Sequence, residues 1–507
     1  MADQYRKWII LIATIWIQTF TGTNFDFSSY SSSLKDVLQI SQLQLNCLSV
    51  ASDMGKLFGW CAGLFLIRFP SFIALILSSL LGLLAYGLQW FLLQGFVSIP
   101  YTLVLLLSLV GGCSICWFNT VCYVQCIRNF PNHRALALSL TVSFNGLSAA
   151  VYTLIANTID PVTVSVYLLL NATMPLLVTL LFLPFIIHAP PAQLQSPNAV
   201  SREYFFFLLL TILAAITGLY LLFSSPLSSN PSLSLPLLSG ALFLLLLPFI
   251  GISFVRNRKD TTSVPEDYID LNDQLIEGEE TDKSLGSEHS WKNLVSTREF
   301  WLYYTSYLCG GTIGIVYANN LGQIAQSLGL SSNVKNLVGL YSSCSFFGRL
   351  LSTAPDISKV WMARTGWLAA SLIPMPLAFM VMAVSGSEAA VIVGTAIVGL
   401  SSGFVVGASI SITSELFGAK SAGVNHNILI TNIPLGSLMF GIFAAAMYEE
   451  NSGRLKWLVG ETVMCMGRDC YRATFITWGC SSAIAFVSSF VLFLRTKSLY
   501  HNLTLKH

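Results

Sequence analysis

Long apolar stretches fill this chain of 507 residues, and one strongly charged segment divides them into two blocks. The segment from Arg256 to Glu299 holds 17 of the 50 Lys, Arg, Asp and Glu residues. Such a segment cannot lie in hydrocarbon, because transferring unpaired charges out of water costs too much free energy. We therefore predict a water-exposed connector between two membrane-embedded blocks.

The composition is typical of membrane proteins rather than soluble ones. Residues are 54% hydrophobic and only 10% charged, with a mean hydropathy of +0.68, whereas soluble domains carry about 25% charged residues. Several apolar runs reach the roughly 20 residues that a helix needs to cross a bilayer. These features predict an all-α polytopic membrane protein in the lipid bilayer. Nucleic-acid binding is excluded, because no basic face remains beyond the helix-flanking residues.

Apolar runs of spanning length suggest about fourteen helices. Six begin near residues 7, 45, 71, 101, 134 and 163, ahead of a Pro-rich break at 189–197. Two more cover 204–223 and 235–255, and six follow the connector, beginning near residues 300, 333, 365, 389, 422 and 473. We predict an N-terminal six-helix bundle (1–190), two extra helices (191–255), the connector (256–299), a C-terminal six-helix bundle (300–496) and a tail (497–507). The first run could also be a cleaved signal peptide, but no small-residue cleavage site follows it.

Basic residues indicate the orientation of the predicted helices. If every run spans the membrane, the Lys and Arg residues that flank the helices fall mainly on one side, which the positive-inside rule makes cytoplasmic. Both termini and the connector are then cytoplasmic, in either the plasma membrane or the vacuolar membrane. The opposite side carries Cys465 and Cys470 in a polar loop, where they could form a disulfide.

Four further cysteines share one apolar run, at positions 113, 116, 122 and 126. This spacing could suggest a metal or redox cluster. The run contains no His or acidic partner, however, and Cys is a common small buried residue. We therefore predict no metal site and no cofactor.

The two blocks repeat each other at a nearly constant offset. Gly55-Lys56-Leu57 in the second run matches Gly348-Arg349-Leu350, 293 residues later, and Trp8 matches Trp301 at the same offset. An offset of 287 superposes Asn145 on Asn432. Several matches in one order predict a duplicated six-helix unit, as in transporters built from parallel repeats.

Several motifs in both blocks resemble the plant nodulin-like family of the major facilitator superfamily, which includes nuclear-fusion-defective-like transporters. They include Arg128-Asn-Phe-Pro131, Asn319-Asn320-Leu-Gly-Gln323, Gly348-Arg349-Leu350, Ser414-Glu-Leu-Phe-Gly418 and Asn432-Ile-Pro434. The resemblance implies a major-facilitator-type fold and transport coupled to protons. The chain departs from the superfamily in its two extra helices and in the loop Ile67-Arg68-Phe69-Pro70, which lacks the usual acidic residue.

Three charged residues within the apolar runs are candidates for the functional site, because an intramembrane charge costs roughly 2.5–3.5 kcal/mol on insertion scales. Asp53 and Lys56 are three residues apart and can pair on one helix face. The pair could have a purely structural role and join two helices. Alternatively, Asp53 could bind a proton or substrate while Lys56 tunes the ionisation of its carboxyl group. Arg349, at the Lys56 position of the second block, could attract an anionic substrate. It could also extend to the membrane surface.

Neutral polar residues and one further carboxylate complete the predicted site. They are Asn24, Asp26, Asn145, Asn319, Asn320, His426 and Asn432. Amides and a carboxylate that face a shared cavity could hydrogen-bond a polar solute, whereas each one alone could equally join two helices. His426 could relay protons or face the membrane interface.

Together these features predict a monomeric secondary active transporter that moves a small polar or anionic solute by alternating access. No Gly-x-x-x-x-Gly-Lys-Ser/Thr loop is present, so an ion gradient or the solute's own gradient would supply the energy. An enzyme is disfavoured, because no His-Glu-x-x-His motif or paired acid dyad occurs. The alternative is a membrane receptor or scaffold with a transporter-like fold.

Overall fold

The computed structural model describes residues 2–187, 197–256, 288–358, 362–418, 421–452 and 465–505. Within these ranges all regular secondary structure is helical. Most of the predicted Pro-rich break at 189–197 and most of the predicted connector at 256–299 lie outside the described residues.

Fourteen long helices, named α1 to α14, correspond to the predicted runs within the described ranges. The first six are α1 (Ala2–Thr21 and Phe27–Leu38), α2 (Gln42–Arg68), α3 (Ser71–Leu93), α4 (Tyr101–Asn129), α5 (Arg134–Gly146 and Ser148–Ile159) and α6 (Ser165–Ile187). The extra pair is α7 (Pro197–Leu227) and α8 (Pro231–Arg256). The last six are α9 (Arg298–Ser306, Tyr307–Thr312 and Ile313–Ser327), α10 (Val334–Leu351), α11 (Arg364–Ser385), α12 (Glu388–Phe417), α13 (Ala422–Asn451) and α14 (Asp469–Leu505).

Eleven of the described helices are long and apolar enough to cross a membrane. They are α2 to α8 and α11 to α14. The other three, α1, α9 and α10, carry more polar residues, among them Arg349. The chain is therefore a multi-pass membrane protein, as its composition predicts.

The two larger of three hydrophobic cores in the described residues divide the molecule into two halves. One core is formed mainly by α1 to α8, and it includes Phe207 and Leu221 of α7 and Leu245 of α8. The other is formed mainly by α9 to α14 and includes Tyr317 and Trp478. α8 thus packs on the N-terminal half, whereas α7 also contacts α10 of the C-terminal half, where a Cβ on Gly218 would lie 2.3 Å from the Phe346 ring. Trp16 Nε1 donates to the Leu245 carbonyl at 3.1 Å, and Lys7 forms a buried ion pair with Glu203.

The halves meet along several helix pairs. Ser342 Oγ of α10 donates to the Gly146 carbonyl of α5 at 2.5 Å. Asn46 Nδ2 of α2 donates to Asn320 Oδ1 of α9 at 2.9 Å and to the Gly441 carbonyl of α13 at 3.0 Å. Because α2 and α5 each face a helix of the opposite half, a cavity between the halves has walls from both repeats.

Helix irregularities occur in five of the helices that line this interface. α1 is interrupted between Thr21 and Phe27, α5 at Leu147, and α13 before Asn432. α2 contains a 3₁₀ turn at Lys56–Phe58, and α9 contains a π-helical turn at Tyr307–Thr312. Irregular backbone at membrane depth requires protein or a water-filled cavity around it, and single π-turns often occur at functional sites. The irregularities therefore mark the part of the interface where polar groups gather.

A tight contact between α2 and α4 fixes the position of Asp53 and Lys56. A Cβ atom on Gly112 would lie 1.6 Å from the Ser52 carbonyl oxygen, and one on Gly55 would lie 2.1 Å from the Leu109 carbonyl oxygen. Only glycine permits this approach of the two backbones. The contact holds the α2 segment that carries the charged pair against α4.

We expect Gly112→Ala to destabilise the protein strongly, because the added methyl group would overlap backbone rather than a movable side chain. Overpacking typically costs about 1–3 kcal/mol, and occasionally more. Thermal unfolding of the purified protein in detergent should give a lower Tm for Gly112→Ala. Gly87→Ala is the matched control, since its Cβ would meet only Ala172 Cβ at 4.0 Å. Equal Tm values for the two variants would contradict the described α2–α4 contact.

Candidate functional site

Two chambers with polar lining residues lie at the interface of the halves, and the side chain of Asn24 borders both. Both halves line one chamber, whereas the other is lined by the N-terminal half and by Asn319 of the C-terminal half. Asn24 is placed there by the interruption of α1, where Gly22 N donates to Ser148 Oγ at 3.0 Å. A Cβ on Gly22 would lie 2.5 Å from the Asn145 carbonyl oxygen, so this close turn also requires glycine. The Asn24 side chain forms no hydrogen bond with another described residue and is free to contact a solute.

The first chamber, named here the carboxylate chamber, contains Asp53 as its one charged lining residue among the described residues. Its other lining residues are Thr23, Asn24, Phe27, Tyr30, Leu48, Ser49, Ser52, Tyr86, Gln89, Ser108 and Asn319. Thr23 Oγ1 donates to Tyr86 Oη at 2.8 Å, which joins α1 to α3 at the chamber wall.

The second chamber, named here the cationic chamber, contains Lys56 and Arg349 and no acidic lining residue among the described ones. Polar lining residues include Asn119, Tyr123, Asn145, Tyr307 and His426. The repeat positions of Lys56 and Arg349, 293 residues apart, therefore face the same space. Opposite local charge in the two chambers means that an anion would be attracted to the cationic chamber and repelled from Asp53.

Asp53 and Lys56 form a buried ion pair at the boundary of the chambers. Lys56 Nζ donates to Asp53 Oδ1 at 2.5 Å. Lys56 is 7% exposed and Asp53 is 1% exposed. The second oxygen, Asp53 Oδ2, accepts hydrogen bonds from Ser437 Oγ and, at 3.5 Å, from Asn319 Nδ2. Because Ser437 and Asn319 belong to the C-terminal half, the state of this carboxylate is linked to the contact between the halves.

Arg349 is a buried guanidinium that has no carboxylate partner among the described residues. It is 3% exposed, and its Nη1 donates to the Val142 carbonyl and to Asn145 Oδ1, both at 3.1 Å. Its Cζ lies 5.1 Å from the centre of the Phe25 ring, and its Nε has no hydrogen-bond partner. The alternative in which Arg349 extends to the membrane surface is wrong in this structure. The side chain is turned inward, where neutral acceptors and an aromatic face leave its charge unbalanced.

The cavity brings together seven of the ten predicted solute or ion contacts. They are Asn24, Asp53, Lys56, Asn145, Asn319, Arg349 and His426. His426 is buried, packs edge-on against Tyr123 at 5.7 Å, and its Nδ1 has no partner. It therefore lies inside the protein, in the wall of the cationic chamber.

The other three predicted contacts do not line either chamber. Asp26 is completely buried behind the carboxylate chamber and accepts a hydrogen bond from Asn171 Nδ2 at 3.1 Å. Asn320 bonds to Asn46 and to the Val316 carbonyl, and Asn432 accepts from Thr312 Oγ1 at 3.0 Å. In this structure Asn320 and Asn432 join helices, which is the alternative that the sequence leaves open for any single amide.

Several lining residues do not stand out in the sequence. Tyr123, Tyr307 and Asn119 line the cationic chamber, and Ser437 bonds to Asp53. Tyrosine and serine are common in apolar helices, so composition alone does not separate them from structural residues. Asn119 is the exception, because an amide within a run of apolar residues is recognisable in the sequence.

The cysteines fall into different environments. Cys465 and Cys470 are joined by a disulfide, with Cα atoms 5.9 Å apart. Cys116 lines the cationic chamber, whereas Cys126 bonds to Thr14 and Thr141 within the N-terminal half. Within the described ranges, no three His, Cys, Asp or Glu side chains are arranged to hold a metal ion.

Two family profiles match nearly the whole chain. One is described as Nodulin-like and matches residues 7–253, and the other, described as the NFD4 C-terminal domain, matches residues 285–502. The chain is also 48% identical over 535 aligned positions to Protein NUCLEAR FUSION DEFECTIVE 4 of Arabidopsis thaliana. That alignment covers 99% of this chain and 91% of the relative.

Solved transporter structures share the overall fold. The major facilitator superfamily proton:xylose symporter XylE of E. coli superposes with a TM-score of 0.56 at 14% identity, covering 96% of this chain and 95% of that one. The human organic anion transporter MFSD10 superposes with a TM-score of 0.54 at 13% identity, covering 96% and 99%. These similarities concern the fold, and they confirm the predicted major-facilitator-type architecture.

Proposed function

Because the chain belongs to the Nodulin-like family and has the major facilitator fold, we propose that it is a secondary active transporter. Its cargo would be a small polar or anionic solute, moved by alternating access and coupled to protons. The observation that carries this proposal is Arg349. A buried guanidinium without a carboxylate partner among the described residues, facing a cavity between two repeats, needs an anion to balance its charge.

The Asp53–Lys56 pair offers a way to couple solute and proton. An anion that enters the cationic chamber would contact Arg349 and compete with Asp53 for Lys56. Once Lys56 turns to the anion, Asp53 loses its countercharge and binds a proton at a carboxylate oxygen. Anion and proton would then cross together with no net charge added to the cavity. Release of the anion would restore the ion pair and return the proton to water.

Contacts between the halves on both sides of the chambers fit alternating access. On the side of the α1 and α9 ends, Ser28 Oγ donates to the Ala318 carbonyl at 2.6 Å, and Gln326 Nε2 donates to Ser32 Oγ at 2.7 Å. On the other side, Asn427 Nδ2 of α13 donates to Thr120 Oγ1 of α4 at 3.3 Å. Breaking one set while the other holds would open the cavity to one side of the membrane at a time.

The names of two structural neighbours agree with this proposal, since one is a proton symporter and the other an organic anion transporter. We further propose that the side bearing Arg128 and Arg134 is cytoplasmic, in the plasma or vacuolar membrane, and that the protein works as a monomer. Epitope tags at both termini and at residue 270 should then share one side in protease-protection assays. A tag at 270 on the opposite side would contradict this orientation.

Flux measurements in liposomes test the proposed function. The purified protein would be reconstituted with internal pyranine, and sodium lactate, sodium glutamate or xylose would be added outside. A transporter of the proposed kind gives saturable internal acidification with at least one carboxylate, beyond that of protein-free liposomes. Ligand-dependent thermal stabilisation without flux for any of these solutes would instead support the receptor alternative.

A further inference from the structure

Resting on the proposed function, we infer that the cationic chamber binds a small carboxylate whose organic body is apolar, rather than a sugar or another polyhydroxylated solute. The inference follows from how donors, acceptors and apolar side chains are distributed around this chamber. It narrows the proposed cargo from polar or anionic solutes in general to apolar carboxylates.

Hydrogen-bond donors without partners gather around Arg349. Its Nε has no partner, and neither Tyr123 nor Tyr307, both in the chamber wall, uses its hydroxyl to bond to another described residue. Lys56 and His426 border the same space. Among the described residues, two acceptors in this wall are left without a partner, Asn119 Oδ1 and Asn24 Oδ1, and both are neutral amide oxygens. Such an excess of donors suits an oxyanion, which is rich in lone pairs and brings no donors of its own.

Apolar side chains form another part of the wall, beside the neutral polar Asn24, Thr120, Asn145 and Asn427. They are Phe25, Ile115, Ile315, Val406, Ile430 and Ile433. The hydroxyl groups of a sugar placed against these residues would lose their hydrogen bonds to water without replacement, which is unfavourable. An apolar body would instead gain by leaving water. The chamber therefore has a charged end and apolar side chains against which an organic body can pack.

The carboxylate chamber differs in the composition of its wall. Its lining includes the hydroxyl or amide side chains of Thr23, Ser49, Ser52, Gln89 and Ser108. Such a wall presents both donors and acceptors, as a hydroxylated solute or water would require. Six aliphatic or phenylalanine side chains line the chamber that contains Arg349, whereas two, Phe27 and Leu48, line the carboxylate chamber. The apolar character is therefore greater around Arg349.

Binding of three probes of equal heavy-atom count tests this inference. Benzoate is the apolar carboxylate, benzamide its neutral analogue, and threonate a polyhydroxylated carboxylate. Ligand-induced thermal stabilisation of the purified full chain should give a Kd for benzoate at least about tenfold below those of benzamide and threonate. Benzamide loses a charge-assisted hydrogen bond, and threonate buries hydroxyl groups without hydrogen-bond partners.

Each alternative result has a distinct meaning. If threonate binds as tightly as benzoate, the inferred preference for an apolar organic body is wrong, while the anion site and the proposed transport of anions stand. If benzamide binds as tightly as benzoate, or if none of the three binds, the carboxylate site itself is overturned. Failure of transport is detected separately, by the pyranine flux assay with lactate and glutamate.

Two near-isosteric Val→Thr variants distinguish an effect on the chamber wall from a general loss of folding. Val406→Thr places a hydroxyl in the chamber wall and should raise the Kd for benzoate by about fivefold or more without raising that for threonate, because it adds polarity only where the apolar body lies. Val384→Thr, at a position 73% exposed and outside the chamber, should change neither value. Equal effects of Val406→Thr on both probes would overturn the assignment of this wall.

Discussion

Replacing Asp53 by Asn is expected to abolish proton-driven accumulation of the solute while leaving exchange of solute across the membrane. Asn keeps the size of the side chain and can still accept a hydrogen bond from Ser437, but it cannot bind and release a proton at neutral pH. Accumulation in proteoliposomes under an inward proton gradient should fall to the level set by equilibration. Exchange of labelled for unlabelled solute should persist.

The same substitution leaves Lys56 buried without its countercharge. Removing one partner of a buried ion pair typically costs roughly 3–5 kcal/mol, so Asp53→Asn should also lower the Tm. The double variant Asp53→Asn/Lys56→Gln removes both charges and should recover most of that stability without recovering proton coupling. Comparing the two separates a loss of coupling from a loss of folding.

A matched substitution at a second buried carboxyl group, that of Asp26, identifies the coupling residue. Asp26→Asn, at a position that lines neither chamber, should keep proton-driven accumulation. If Asp26→Asn abolishes accumulation and Asp53→Asn does not, Asp26 is the coupling residue. The proposed competition between the anion and Asp53 for Lys56 is then wrong.

Replacing Arg349 by Gln should weaken binding of the anionic solute by roughly 10- to 150-fold, because hydrogen bonds to a charged group contribute about 1.5–3 kcal/mol. Gln can still bond to Asn145 or to the Val142 carbonyl, but it carries no charge. Arg349→Lys should recover only part of the affinity. A guanidinium is planar and can donate to the two neutral acceptors and to a solute at once, whereas an ammonium lacks this geometry. Thermal stabilisation and the KM for uptake measure the effect.

Arg468→Gln is the control for Arg349→Gln, because that side chain is 54% exposed and lies outside both chambers. It should leave Kd and KM unchanged. A normal solute affinity in Arg349→Gln, at unchanged Tm, would remove Arg349 from the binding site and with it the observation on which the proposed function depends.

The sequence was sufficient to predict the fold. Of the four charged residues proposed for the site, Asp53, Lys56 and Arg349 line the chambers and Asp26 does not. Apolar runs of spanning length gave the helices, and the repeat of Gly55-Lys56 as Gly348-Arg349 predicted the duplication that brings Lys56 and Arg349 to one chamber. A charge in an apolar run is informative because its burial costs free energy wherever the helix packs.

The neutral residues of the site were harder to predict, because their direction depends on where helices break. Asn24 reaches the cavity through the interruption of α1, and Tyr307 through the π-turn of α9. An interruption or a π-turn rotates all subsequent side chains relative to a regular helix. A regular helical repeat therefore does not predict that Asn320 and Asn432 contact other helices while Asn319 and Asn145 face the chambers. Hydropathy likewise could not predict that α8 packs on the N-terminal half and α7 against both halves, because it gives the length of a helix but not its neighbours.

The central claim is that twin halves enclose an aqueous cavity that opens alternately to the two sides of the membrane, and accessibility of Cys116 tests it most directly. In a variant whose sole free thiol is Cys116, with the Cys465–Cys470 disulfide kept, a membrane-impermeant maleimide would be applied to either face of oriented vesicles. A matched variant with Cys126 alone reports on a thiol inside the N-terminal half. We predict that Cys116 reacts from both faces and Cys126 from neither. Reaction of Cys116 from one face only, or from none, would contradict alternating access.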